Sequence, residues 1–269
     1  MADGSAQDVG QGPGLAPTHA RDQITALARG LAVIRAFSGQ DEQMTLADIA
    51  KLVSLPRATV RRCLLTLEAL GYVELRGRFF RLAPQVLTLA QAYLSSSLLP
   101  RVTTPFLERM SGELGESCSV SVFHDNQVIY VARSARKRLA SLHRDVGTRL
   151  PAYCTSMGRV LLASLPDAEL DAFLKRTPRE SLTRFTVTGA RELKEALADV
   201  RRRDYSIVDQ ELELDLRGIA VPLRNASGRV VAALNVSTQA SRTGKRELTD
   251  KILPVLRSAA AEIRPLLLG

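Results

Sequence analysis

The chain has 269 residues, 45% of them hydrophobic, which is enough for two domains with their own cores and too much for a disordered protein. Its 37 Lys and Arg outnumber 28 Asp and Glu, and the net charge of +9 favours acidic partners such as nucleic acid. No apolar run approaches the ~20 residues of a membrane span and no basic-then-apolar leader opens the chain, so a soluble cytoplasmic protein with no membrane partner is expected. Cys63, Cys118 and Cys154 are odd in number, widely separated and without a C-x-x-C pair, so neither a disulfide framework nor a structural zinc site is indicated.

Residues 1–20 are rich in Gly, Ala, Pro, Asp and Gln without periodicity and read as a disordered leader. Ile24, Leu27, Leu31, Ile34 and Phe37 then recur at spacings of three and four, predicting a helix that ends near Ser38-Gly39. Thr45 and Asp48 have the spacing of a capping box, and Leu46, Ile49, Ala50 and Val53 continue as one apolar stripe. Ser54 and Leu55 interrupt the stripe. Pro56 is predicted to open a second helix, where its missing N–H costs nothing. Along that helix Val60, Cys63, Leu64 and Leu67 share one side, while Ala58, Arg61 and Arg62 point away and Arg57 flanks them at the N-terminal end.

This is the pattern of a helix-turn-helix with its recognition helix. Gly71 is followed by Tyr72–Leu75, a turn at Arg76-Gly77-Arg78 and Phe79–Leu82, which reads as a β-hairpin wing. Six arginines face two glutamates from Arg57 to Arg81, a balance that suits phosphate contact. Basic helix faces are often merely solvated, and it is the wing and the charge together that favour double-stranded operator DNA as the partner. The candidate DNA contacts are Thr45, Arg57, Ala58, Thr59, Arg61, Arg62, Arg76 and Arg78. A dimer is expected, because one winged domain buries little DNA surface and dimeric readers place two recognition helices about a helical turn apart.

Pro84 closes the wing, so residues 21–83 form the expected DNA-binding domain. Val86, Leu89, Ala90, Tyr93 and Leu94 mark a linker helix within 84–99 that breaks at Ser95-Ser96-Ser97 and Pro100. Residues 100–269 mix strands and helices. Helices are predicted at Phe106–Leu114, Ser156–Leu165, Asp167–Arg176, Glu192–Arg203 and from Leu248 to Ile263. Strands are predicted at Ser117–Phe123, Gln127–Ala132, Leu139–Arg144, Tyr205–Asp209, Ile219–Arg224 and Val230–Ser237. An antiparallel sheet with helices packed on it makes the fold class α+β and the second domain sensor-like.

Several segments carry a family resemblance over about Gln23 to Leu268. They are Leu27–Leu31, Leu55-Pro56-Arg57-Ala58-Thr59-Val60, Gly71-Tyr72-Val73, Leu150 through Gly158, Gly158-Arg159-Val160-Leu161-Leu162-Ala163, and Glu211 through Pro222. The chain resembles the IclR family of bacterial transcriptional regulators, and Leu150–Gly158 looks most like the subgroup that controls aromatic-compound catabolism through the β-ketoadipate pathway. The resemblance implies winged-helix subunits assembled as a homodimer or tetramer, each with a GAF-like C-terminal domain that binds a small metabolite.

Thr155, Ser156, Met157 and Gly158 precede and open a helix, so their N–H groups make an anion-binding position for which a small carboxylate effector is the natural guest. Thr155 or Ser156 could equally be no more than the helix cap. Arg133, at the end of a strand, is a candidate for a second carboxylate, although an arginine so placed is more often a solvated surface group. The resemblance adds Asp209, Gly218, Asn235 and Ser237 as effector contacts. Where family members often carry Gly and then Cys or Ser before Ile-Ala-x-Pro, this chain has Asp215 and Gly218. A hydroxyl or thiol contact is therefore missing at Gly218, and space for a bulkier ligand is expected there.

Cys154 with His124 or His143 could form a nucleophile and base, but no G-x-S-x-G signature accompanies them. His19, His124 and His143 have no metal-ligand spacing, and no P-loop or Rossmann glycine pattern appears, so no catalysis, metal or cofactor is expected. The remaining alternative to a DNA-binding regulator is a ligand-binding sensor that acts on a partner other than DNA.

Overall fold

The computed structural model describes residues 23–37, 42–135 and 145–267. The expected leader and the strand Leu139–Arg144 lie outside the described residues, as do His19 and His143; the first helix closes at Ala36 with Phe37 as its C-cap, just ahead of the predicted Ser38-Gly39. The chain divides into two compact units, residues 1–93 and 94–269.

The first unit runs α1 (Thr25–Ala36), β1 (Met44–Thr45), α2 (Leu46–Leu52), α3 (Arg57–Ala69), β2 (Val73–Arg76) and β3 (Phe79–Leu82), with α4 (Leu87–Ser96) crossing the boundary between units. Val33 of α1, Ile49 of α2 and Val60 and Leu64 of α3 are fully buried against one another; α2 and α3 bury their predicted stripes, whereas along α1 the predicted stripe residues Ile24, Leu27 and Leu31 are exposed and the helix turns Val33 and Phe37 to the core. Thr45 and Asp48 form the reciprocal capping box at the start of α2. Ser54 takes a left-handed φ of 52° in the turn between α2 and α3. Pro56 differs from its predicted place by one residue. Its ψ of 139° is extended, so it caps α3, and helical geometry begins at Arg57.

β2 and β3 form the expected hairpin, turning at Gly77, whose φ is 62°. β1 joins the hairpin as a third strand, Met44 opposite Phe80 and Thr45 opposite Phe79. Two residues are too short for an alternating pattern, so sequence periodicity had no means of showing it.

The second unit is a six-stranded antiparallel sheet between two helical layers. Its strands are β4 (Ser117–His124), β5 (Gln127–Ser134), β6 (Arg149–Pro151), β7 (Ser206–Asp209), β8 (Leu216–Arg224) and β9 (Val230–Gln239), in the spatial order β6-β5-β4-β9-β8-β7. One face packs Val120, Ile219 and Leu234 against Leu107 of α5 (Leu98–Leu114) and Leu256 of α10 (Leu253–Ile263). The other packs Tyr130, Ala220 and Ala233 against α6 (Ser156–Ala163), α7 (Asp167–Arg176) and α8 (Ala190–Arg203) through Leu162, Phe173 and Leu197. The last helix is entered through α9 (Lys245–Glu247) and one wide π turn, Leu248–Ile252.

α5 begins eight residues earlier than predicted. Pro100 lies in its first turn, where the N–H has no helical partner to lose, so the proline that read as a break is tolerated. β6 is three residues long and was not predicted.

α6 lies unusually close to the segment before it. A Cβ on Gly158 would stand 2.1 Å from the Ala152 carbonyl oxygen and 2.5 Å from Ala152 Cα, both backbone atoms that cannot swing away. Gly158→Ala is expected to destabilise the fold by at least about 2 kcal/mol, read as a lower urea midpoint, because the helix must move away from the Ala152 backbone to admit one methyl. A midpoint unchanged from the parent chain would show that α6 is not seated as described.

Candidate functional sites

α3 has three differently employed sides. Val60, Leu64 and Leu67 are buried in the unit core, and Arg57, Ala58 and Arg61 face outward as predicted. Arg62 is exposed too, but with Thr59 and Thr66 it borders a groove between α3 and α1 of about 530 Å³. It therefore stands apart from Arg57 and Arg61. At the wing, Arg76 and Arg78 are exposed at the hairpin tip, and the Arg78 guanidinium lies 5.1 Å from the Phe79 ring. Arg81 is taken up within the hairpin by Glu74 through contacts of 2.6 and 2.9 Å, so it is not available to phosphate in this arrangement. Thr45 is committed as well. Its hydroxyl donates to Asp48 Oδ2 at 2.6 Å and accepts from the Asp48 N–H at 3.3 Å. These bonds hold the exposed Asp48 carboxyl below its usual range.

In the second unit the sequence-predicted residues converge in part. A small cavity beneath α6 is lined by Thr155, Ser156, Met157, Gly218, Asn235 and Ser237, with Tyr130, Leu150, Cys154, Val208, Leu212 and Leu216 completing it. Its space of about 20 Å³ fits a single water, whereas pockets that enclose small organic ligands run to ~300–1,000 Å³. Thr155 is the N-cap of α6, its Oγ1 accepting from the Gly158 N–H at 3.2 Å, which leaves the Ser156 and Met157 N–H groups as the remaining first-turn donors. Ser156, Asn235 and Ser237 are buried and joined, Asn235 donating to Ser156 Oγ at 3.0 Å and Ser237 donating to Asn235 Oδ1 at 3.2 Å. Register adds a residue that sequence reasoning missed: Ser119 of β4 lies opposite Asn235 and donates to the same Oδ1 at 3.0 Å.

Asp209 does not line this cavity. It follows Val208, which does, and its carboxylate meets Arg217 at 2.8 Å and Lys245 at 3.0 Å. Burial works against its charge, but hydrogen bonds from Arg217 and Lys245 prevail and hold the carboxyl below the ordinary range. Arg133 also falls outside the lining. Its register partner is Ser119, which puts it on the cavity side of the sheet, and its Nε is buried with no hydrogen-bond partner among the described residues.

Of the two departures from the family pattern, the one at Gly218 differs from expectation, and Asp215 has a structural part. Asp215 adopts a left-handed φ of 62°, accepts from the Ser241 N–H and hydroxyl, and so ties the β7–β8 loop to the end of β9. The space beside Gly218 is not open to a ligand. The Ser156 hydroxyl occupies it, 2.8 Å from where a Cβ would stand.

The loop over the cavity is held by a buried ion pair that sequence reasoning did not single out. Arg159 of α6 donates to Glu211 Oε2 at 2.7 Å and to the Tyr153 carbonyl at 3.1 Å, and the same Oε2 accepts from the Val187 N–H at 3.0 Å. The hydroxyls of Thr183 and Thr186 bond the Gln210 and Glu211 carbonyls at 2.6 Å. Leu212, which follows directly, closes on the cavity. Cys154 lies in the same wall, and burial pushes its thiol up to about 12, so no thiolate nucleophile is present near neutral pH. Arg159→Met should cost about 3–5 kcal/mol in a urea titration by stranding the Glu211 charge, and adding Glu211→Gln should recover part of that loss. Equal stability of the single and double variants would mean that the pair is not coupled.

A winged helix-turn-helix joined to a metabolite-sensor sheet defines a ligand-responsive, DNA-binding regulator. The first part matches the family model described as the IclR helix-turn-helix domain over residues 26–77, and the second matches the bacterial transcriptional regulator IclR C-terminal model over residues 91–264. The chain belongs to the IclR family of bacterial transcriptional regulators. It is 45% identical to the Pca regulon regulatory protein of Pseudomonas putida, over 92% of this chain and 86% of that one. A solved structure from Rhodococcus sp. RHA1 is 48% identical, covers 91% of this chain and 98% of that chain, and superposes with a TM-score of 0.79. The inducer-binding domain of a PobR double mutant from Acinetobacter, solved with 3-hydroxybenzoic acid, is 35% identical with a TM-score of 0.60 and covers 62% of this chain and 98% of that one. The aromatic-catabolism subgroup is thereby supported. Regulation of transcription through DNA, rather than catalysis or action on a partner other than DNA, is the function of this family. No helix among the described residues is long and apolar enough to cross a membrane.

Proposed function

We propose that this regulator reads its operator in the cytoplasm through Arg57, Ala58 and Arg61 of α3 and Arg76 and Arg78 of the wing. In this reading residues 21–83 form the DNA-binding domain, 84–99 the lever and 100–269 the effector domain. The outward placement of Arg57 and Arg61, against a buried opposite side, supports it. An arginine in bidentate contact with guanine contributes ~1–3 kcal/mol, and each lost phosphate contact lowers the salt slope by about one. With DNA from upstream of its own gene, Arg57→Ala with Arg61→Ala should weaken binding tenfold or more, while Arg81→Ala should change it little because that side chain serves Glu74. Unchanged affinity and salt dependence in the first variant would refute the recognition-helix reading.

The regulator acts as a homodimer or as a tetramer built from two such dimers. Leu27, Leu31 and Leu70 line the groove between α1 and α3 and are 60%, 48% and 60% exposed, an apolar surface on which a second copy could pack. A second copy covering it would also give the paired recognition helices that an operator requires.

The cavity under α6 takes a small carboxylate of aromatic catabolism, such as 4-hydroxybenzoate, protocatechuate or β-ketoadipate. Its carrying observation is the set of donors at one place, namely the first-turn N–H groups of α6 and the Ser156 hydroxyl. The hydroxybenzoate in the PobR domain supports the class. Arg133, with its unpartnered Nε, is the reserve cation for a second acidic group. Since the cavity is closed, binding selects a wider state, and a coupling of ~1–3 kcal/mol to operator affinity follows if that state differs in its grip on DNA. Calorimetry with the three acids should give a binding isotherm for at least one of them, weakened by Ser237→Val. No heat from any of them at millimolar concentration would end the carboxylate reading and leave the DNA reading standing.

A further inference from the structure

The floor of the cavity has a fixed hydrogen-bond polarity. Asn235 Nδ2 lies 3.2 Å from the carbonyl oxygens of Ile219 and Val236. Carbonyls only accept, so the amide nitrogen must face them and Oδ1 must face away. Ser119 and Ser237 are therefore donors to Oδ1, and Nδ2 donates to Ser156 Oγ. The Ser156 hydroxyl is thus used as an acceptor on its sheet side, and its own proton has no acceptor among the described residues. That residue is buried on the cavity wall, so a donor is held facing the place where a ligand would lie.

The arrangement depends on the absence of a side chain at residue 218. A Cβ there would stand 2.8 Å from Ser156 Oγ and 3.4 Å from Asn235 Nδ2. Gly218 is not among the residues with positive φ and is the third residue of β8, so backbone conformation does not demand glycine. What demands it is the Ser156 hydroxyl.

We propose that Gly218 and Asn235 are positioning residues that hold Ser156 as a hydrogen-bond donor to the effector's carboxylate, and that residue 218 thereby sets which effectors the chain accepts. The proposal rests on the carboxylate reading above and goes further by assigning the polarity and the residues that impose it. A carboxylate is acceptor-only and fits a wall of donors, whereas the amide of the same acid turns an NH2 group toward them. A side chain at 218 forces the Ser156 hydroxyl off Asn235 and frees it to rotate, so the preference for acid over amide falls.

The test uses the full chain, calorimetry with 4-hydroxybenzoate and 4-hydroxybenzamide, and circular dichroism to check folding. The intact chain should bind the acid at least about tenfold tighter than the amide, the scale of one hydrogen bond to a charged group. Gly218→Ala should lose about tenfold in acid affinity and narrow the acid-to-amide ratio. In a Ser156→Ala background, the same change at 218 should shift acid affinity less than about twofold, because the hydroxyl it displaces is gone. An equal loss in both backgrounds, or an unaltered ratio in Gly218→Ala, overturns the proposal while the carboxylate reading survives. If Gly218→Ala does not fold, Ser156→Ala alone decides: an unchanged ratio overturns the proposal and a lost preference supports it. Absence of acid binding by the intact chain overturns the proposal together with the reading it rests on.

Discussion

The effector domain depends on one buried ion pair. Arg159 and Glu211 are both removed from water, a step that costs several kcal/mol per ion and is offset only if each remaining donor and acceptor is met. Here the arginine also bonds the Tyr153 carbonyl and the glutamate also accepts from Val187, so the pair gathers α6, the segment before it, the loop after β7 and the chain leading to α8. That gathering decides where Leu212 lies and therefore how large the cavity is. Gly158, one residue before Arg159, lets α6 come close enough to Ala152 for the pair to form. The two requirements are consecutive in sequence because they belong to the same approach of helix to sheet.

A cavity with room for one water has an energetic meaning. A pre-opened pocket would leave the Ser119–Asn235–Ser156–Ser237 network exposed to solvent, whereas closure under Leu212 and Leu216 raises the value of each bond in it. A ligand larger than water could enter this space only with movement of its walls. A small molecule can regulate only through such a difference between two states.

In the DNA-binding unit the same helix is shared between several tasks. α3 is 13 residues long and supplies the unit's core, an outward arginine face and one wall of the α1–α3 groove. Arg62 borders the groove and Arg57 and Arg61 do not, because 100° per residue carries consecutive arginines to different surroundings. In the wing, pairing of Glu74 with Arg81 across the strands takes one arginine out of the count that the sequence offers.

Much was legible in the sequence because it is written in local spacing. The capping box at Thr45 and Asp48, the stripe Val60–Leu64–Leu67, the β2–β3 hairpin and the start of α6 each follow from residues within one or two turns of one another, where periodicity and capping chemistry operate. The resemblance to the IclR family added the positions Gly218, Asn235 and Ser237, which do meet at the cavity. Only the tertiary structure decided the rest: that Ser119 joins Asn235 across 116 residues, that Arg159 finds Glu211 across 52, and that Asp209 turns to Arg217 and Lys245 instead of the cavity. Strand register and burial govern these contacts, and neither is encoded within one segment. A one-residue shift in pairing would carry Asp209 to the other face of the sheet without changing a single local pattern.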